Sequence, residues 1–131
     1  MNKTILITAT LLGLISVVLG AFGAHGLKAL ITTESLQTFE TGVRYQMYHA
    51  ILLLFVGSSS LVTQRTKRIC YYLALIGLLF FSGSIYGLAT NALTRFDFKT
   101  IAFATPIGGL LLMASWVILF IDFLKMKGDK L

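Results

Sequence analysis

Four runs of apolar residues, set apart by short polar stretches, dominate this chain. They fall at about 4–24, 43–62, 69–90 and 101–123. A helix needs roughly 20 mostly apolar residues to cross the ~30 Å hydrocarbon core of a bilayer, and each run has that length. The pattern predicts an all-α fold, an integral membrane four-helix antiparallel bundle. The whole chain, 1–131, forms one membrane domain. The first run exceeds the ~7–15-residue apolar region of a signal peptide, so it reads as a retained span.

The stretch 34–42 ahead of the second span is amphipathic. Leu36, Phe39, Val43, Met47 and Ala50 recur at helical spacing, with Gln37, Glu40, Thr41, Arg44 and Tyr48 on the other side. Thr33 is the expected N-cap, and Glu34 suits the first turn. Glu40 and Arg44 are four apart, in the better order for a helical ion pair. The stretch is therefore expected to run as a helix into span two, with Gly42 as the place for a bend. Continuous from 34 to 62, that helix would measure about 43 Å at ~1.5 Å per residue. Its first turns would then lie outside the hydrocarbon.

Small residues predict the packing faces. Ala9, Gly13, Ser16, Gly20 and Gly23 follow one another at helical spacing along span one, and Gly83 and Gly87 stand four apart on span three. Lipid provides no hydrophobic drive between helices, so close approach over small residues holds them together. Spans one and three are thus the expected partners. Thr105-Pro106 allows two readings of span four. A helix begins at Pro106 behind a Thr105 cap, or a continuous span over 101–123 kinks at Pro106. The spanning length favours the kink. Trp116, too deep for an interfacial belt, is expected to pack in the bundle.

Composition supports the membrane class. Hydrophobic residues make up 56% of the chain and charged residues 12%, against about 25% charged in ordinary soluble domains. The lone Cys70 rules out an internal disulfide and reads as a small apolar residue at a helix start. The net charge of +6 follows from topology. Lys3, Arg65, Lys67, Arg68, Lys125, Lys127 and Lys130 share one side; Lys28, Arg44, Arg95 and Lys99 share the other. The positive-inside rule then makes both termini cytoplasmic and turns the loops 25–42 and 91–100 outward. No nucleic-acid partner is implied. The lipid bilayer is the expected surrounding, and a homo-oligomer or a membrane-protein partner is compatible with it.

One polar cluster stands out. His25 ends span one, and Arg44, Tyr45, Tyr48 and His49 enter span two, where 44/48 and 45/49 share a helical face. Tyr86 lies near the outer end of span three. Ionisable groups near a bilayer core are costly and mark candidate sites. A structural network that fixes helix register is the foremost reading, since buried polar groups need partners. A pocket for a small amphiphile, lipid or quinone, is the second; there Arg44 meets an anionic group and the aromatics hold an apolar body. Axial haem or metal ligation by His25 and His49 is the third. No cofactor and no metal site is otherwise indicated, because no third ligand stands at metal-site spacing. Ser58, Ser59 and Ser60 lie across the membrane from both histidines, which denies a serine–histidine pair, and no catalytic residue is identified.

Four segments, GAFGAHGL at 20–27, TGVRYQMYHA at 41–50, FSGSIYGL at 81–88 and TPIGG at 105–109, resemble the YgdD/YwdK-like family of small inner-membrane proteins (domain of unknown function 423). They are similar also to a small eukaryotic transmembrane protein group. The resemblance covers nearly the whole chain. It implies a four-helix, multi-pass protein of the bacterial cytoplasmic membrane and implies no reaction.

Overall fold

A computed structural model describes residues 2–127. Four long helices organise it: α1 (Asn2–Ala24), α2 (Thr33–Ser58), α3 (Gln64–Ala89) and α4 (Ala104–Leu124). Single 3-10 turns lie at Leu27–Ala29, Asn91–Leu93 and Phe98–Ile101. Three helices are long and apolar enough to cross a membrane: α1 with its 3-10 extension, α3 and α4. Their outward surface is made of large apolar side chains, among them Leu14, Val17, Leu79, Leu110, Phe120 and Leu124. Such a surface is stable against lipid tails and not against water. α2 falls short of that hydropathy, because Arg44, Tyr45, Gln46, Tyr48 and His49 crowd its middle.

α1 packs on α2, α2 on α3, and α3 on α4. Residue numbers fall in one helix as they rise in the next. Gly57 meets Ile5, Ala50 lies beside Gly13, Val43 beside Gly20, and Phe39 beside Gly23. Likewise Ser82 reaches Gly42, Gly77 meets Leu112, and Thr66 meets Asp122. One end of the bundle therefore holds the 59–63 connection, here the near end; the far end holds 25–32 and 90–103. A large core cluster around Ile5, Ala9, Leu53, Val56, Cys70 and Ala74 fills the near half. A smaller one, Leu27, Phe39 and Ala89, closes the far end. Cys70 is fully buried and its thiol points to the Ser115 carbonyl at 3.3 Å.

Several expected details change. The cap of α2 is Thr32, one residue earlier than expected, and its side chain accepts from Ser35 N at 3.1 Å. α2 then runs unbroken through Gly42 and stops at Ser58, four residues before the end of the apolar run. Gly42 is no bend: it is buried where the Tyr86 ring crosses α2, and a Cβ there would lie 2.7 Å from that ring. α3 starts five residues early, at Gln64, because Thr63 caps it. The kinked span four is replaced by a helix that starts at Ala104 behind the 3-10 turn. Pro106 then lies in the first turn, where its missing N–H removes no helical bond. Thr105 is not the cap; its hydroxyl pairs with Ser84 of α3.

The small-residue pairing is also redistributed. The stripe on α1 faces α2, not α3, with Ala9, Ser16 and Gly23 buried and Gly13 and Gly20 half-buried. Gly83 faces open space, whereas Gly87 is covered by the Phe98 ring of the far-end connection. α3 and α4 approach closely at Gly77 and Gly108. A Cβ on Gly108 would collide with the backbone at Phe81 N and Gly77 O. At the near end, the Asp122 carboxylate accepts from the Thr66 hydroxyl at 2.8 Å and from Thr63 N at 3.2 Å. This clasp ties the last turn of α4 to the cap of α3.

Gly108→Ala should lower the unfolding free energy by about 1–3 kcal/mol, the usual cost of forcing atoms into a closed contact. Gly83→Ala should be neutral or up to about 1 kcal/mol stabilising, because alanine is the better helix former and meets nothing. Denaturant titration of the detergent-solubilised protein checks the pair; equal effects would place the two glycines in similar surroundings.

Candidate functional site

The polar residues of α2 divide between two helix faces. Gln46 is buried, and both ends of its amide are engaged. Its Nε2 donates to the Leu12 carbonyl of α1 at 2.9 Å, and its Oε1 accepts from the Tyr86 hydroxyl of α3 at 2.6 Å. Ser16 shares the Leu12 carbonyl at 2.9 Å. One turn away, Ser82 donates to the Gly42 carbonyl at 2.8 Å. The Tyr86 ring also leans on Phe39, with centroids 5.2 Å apart. One glutamine thus joins three helices. With Tyr86, Ser82 and Gly83 it lines a hollow of about 350 Å³ between α1 and α3, whose remaining walls are leucine and isoleucine side chains.

His49 is the second anchor and is 3% exposed. Its Nδ1 lies 2.7 Å from the Tyr45 carbonyl, and the Trp116 indole N–H of α4 donates to its Nε2 at 3.1 Å. A nitrogen that accepts from an indole has no proton of its own, so the other nitrogen carries it. The geometry selects the neutral Nδ1–H tautomer and occupies the Nε2 lone pair that a metal would need. Trp116 packs in the bundle as expected, but only on one side, and about half its surface stays open. The Tyr45 ring packs tilted against Phe81, with centroids 5.0 Å apart. Tyr45, His49, Phe81, Met113 and Trp116 border a second hollow of about 270 Å³.

The six candidate residues do not form one site. Tyr45 and His49 line the hollow toward α4, and Tyr86 joins Gln46 beside the hollow toward α1. Arg44 and Tyr48 are exposed. Arg44 donates to Thr41 at 3.1 Å, and the expected Glu40–Arg44 ion pair does not form. His25 is exposed beyond the end of α1. His49 lies level with residues 13–14 of α1, about 11 residues or ~16 Å deeper than His25. The two histidines are therefore not brought together, and His49 belongs to the middle of the bundle rather than its mouth. No group of three or more His, Cys, Asp or Glu residues suited to a metal occurs among the described residues.

Residues 19–109 match the model of a family described as "Protein of unknown function (DUF423)". The chain belongs to this family. It is 40% identical over 126 residues to a Haemophilus influenzae UPF0382 membrane protein, covering 96% of this chain and 97% of that one. It is 34% identical over 125 residues to the UPF0382 membrane protein YwdK of Bacillus subtilis, covering 94% and 98%. It is 32% identical over 130 residues to the UPF0382 inner membrane protein YgdD of Escherichia coli, covering 96% and 93%. No solved structure matches. With these relatives and three helices able to cross a bilayer, the protein is a multi-pass protein of the bacterial cytoplasmic membrane.

The family match spans Gln46, His49 and Tyr86 but ends before Trp116. Sequence reasoning missed Gln46 and Ser82 because neutral polar residues carry no charge to flag them. A usable signal existed in Gln46: it shares a face with the apolar Phe39, Ala50 and Leu53, where an amide needs partners.

Trp116→Phe should lower stability by about 1 kcal/mol, because it leaves the buried His49 Nε2 without its donor. Arg44→Gln should change it by less than about 0.5 kcal/mol, as for exposed polar positions. Thermal unfolding in mild detergent separates the two; a larger loss for Arg44→Gln would return the weight of the cluster to the arginine.

Proposed function

We propose that this chain is a non-enzymatic membrane protein in which the α2 cluster serves as a structural network. One observation carries that reading: among the described residues, every buried side-chain nitrogen and oxygen has a hydrogen-bond partner. A site waiting for a polar ligand keeps a donor or acceptor free. Here Gln46 and His49 spend theirs on Leu12, Tyr86, Tyr45 and Trp116, which belong to all four helices. In this reading the network lets α2 cross the bilayer, since Gln46 and His49 face partners rather than lipid.

In this reading the four helices are four antiparallel crossings. Among the described residues, six Lys and Arg side chains belong to the near end and four to the far end. That asymmetry supports a topology with both termini and the 59–63 connection in the cytoplasm.

The second reading is a site for a small amphiphile. Its support is the 270 Å³ hollow beside Tyr45, His49 and Trp116, whose walls are aromatic and aliphatic. Trp116 would have to release His49 Nε2 to a ligand hydroxyl. Haem ligation by His25 and His49 has no such support, given their ~16 Å separation in depth.

Two measurements test these proposals. Native mass spectra of wild type and Trp116→Ala in mild detergent should show the same bound species, with only thermal stability reduced in the variant. A quinone-sized or lipid adduct lost in Trp116→Ala would favour the amphiphile site, and a Soret band would restore haem. For sidedness, Leu93→Cys in a Cys70→Ala background should react with an impermeant maleimide in intact spheroplasts, and Leu61→Cys should not. The reverse labelling would invert the topology.

A further inference from the structure

We infer that the groove between α3 and α4 at the near end is a binding site for one anionic phospholipid. Two adjoining hollows form it. The outer one, about 250 Å³, lies between Arg65 and Lys125; the inner, about 330 Å³, runs from Arg68 past Tyr72 to Ile76. Ile69 borders both. On α3 the residues 65, 68, 69, 72 and 76 follow helical spacing, so they form one stripe. The stripe is cationic for its first turn and apolar thereafter.

The dimensions suit a lipid standing in a single leaflet. From Arg65 to Ile76 the helix rises about 16 Å, close to half of the ~30 Å hydrocarbon core. Arg65, Arg68 and Lys125 are exposed at the mouth. Asp122 also borders the outer hollow. Its carboxylate is already engaged by Thr63 and Thr66, so three cations face one occupied anion. Tyr72 and Ile76 are each nearly half exposed and would lie against an acyl chain. Charge complementarity selects the head group: a phosphate diester without a compensating amine matches a mouth of net positive charge, and basic hollows between spans are recognised places for such heads. The continuous apolar groove beneath selects a lipid over a free anion. This site lies at the opposite end of the bundle from His25 and Arg44 and does not depend on how the α2 network is read.

The test is a titration of the full chain in mild detergent, followed by native mass spectrometry. The probes are phosphatidylglycerol and phosphatidylcholine with identical chains. Phosphatidylglycerol should bind with one-to-one saturation and at least ten-fold preference. Near-surface cations contribute about a five-fold change each, so Arg65→Gln/Arg68→Gln should weaken it roughly 25-fold. Lys28→Gln/Lys99→Gln, which removes the same charge at the far end, should leave it unchanged. Ile76→Trp, which fills the groove and keeps every charge, should also weaken binding. Thermal unfolding of each variant confirms that the bundle is intact. Equal binding of the two lipids would overturn the proposal. So would unchanged binding in Arg65→Gln/Arg68→Gln, or displacement by glycerol phosphate at the lipid's own concentration.

Discussion

A polar side chain inside a membrane protein has neither water nor lipid to bond with, so it must find its partner in the protein itself. α2 carries that constraint for the whole bundle. Gln46 and His49 are buried, and their needs are met only if α1, α3 and α4 stand where they do. The Leu12 carbonyl, the Tyr86 hydroxyl and the Trp116 indole fix three helices against the fourth. Away from the closed contacts at Gly42, Gly77 and Gly108, apolar contacts between these helices could slide by a turn at small cost. The hydrogen bonds could not, because a slipped register leaves a buried donor or acceptor unpaired at about 1–3 kcal/mol each.

This division of labour explains why the helices differ in composition. α1 and α4 lie outermost and carry one charged side chain each, Lys3 and Asp122, with most of their surface open. Their small residues let them approach closely, but over α2 for Ala9, Ser16 and Gly23 and over α3 for Gly108. α2 trades hydropathy for connectivity. The near end is closed in the same way on a smaller scale, by Asp122 on Thr63 and Thr66, by Lys67 donating to Asn2, and by Thr8 pairing with Tyr71. Each links helices distant in sequence.

Much of the fold was legible in the sequence, because span length and hydrophobicity are summed over 20 residues and tolerate local error. The boundaries were less so. Thr32 and Thr63 both cap helices, and only their neighbours' geometry decides which threonine does so. The site was legible in part. His49 and Tyr86 were found from their chemistry, yet depth could not be read from position in an apolar run. His49 looked close to the surface because Arg44 precedes it, whereas Arg44 turns outward to Thr41 while His49 turns inward to Trp116. The pairing of α1 with α2 was hidden for a different reason. A stripe of small residues shows that a helix is approached, and not by which neighbour.

The claim that Gln46 holds α1 and α3 through α2 is tested most directly by a double-mutant cycle on the Gln46–Tyr86 pair. Stabilities of wild type, Gln46→Leu, Tyr86→Phe and the double variant would be measured in bicelles by a reversible unfolding assay. Hydrogen bonds between membrane helices average about 0.6 kcal/mol in such cycles and reach about 1.7 kcal/mol. The short, buried Gln46–Tyr86 bond should lie in the upper half of that range, with the double variant more stable than the sum of the single losses predicts. Strictly additive losses would contradict the account, since they would mean that the two side chains do not meet in the folded protein.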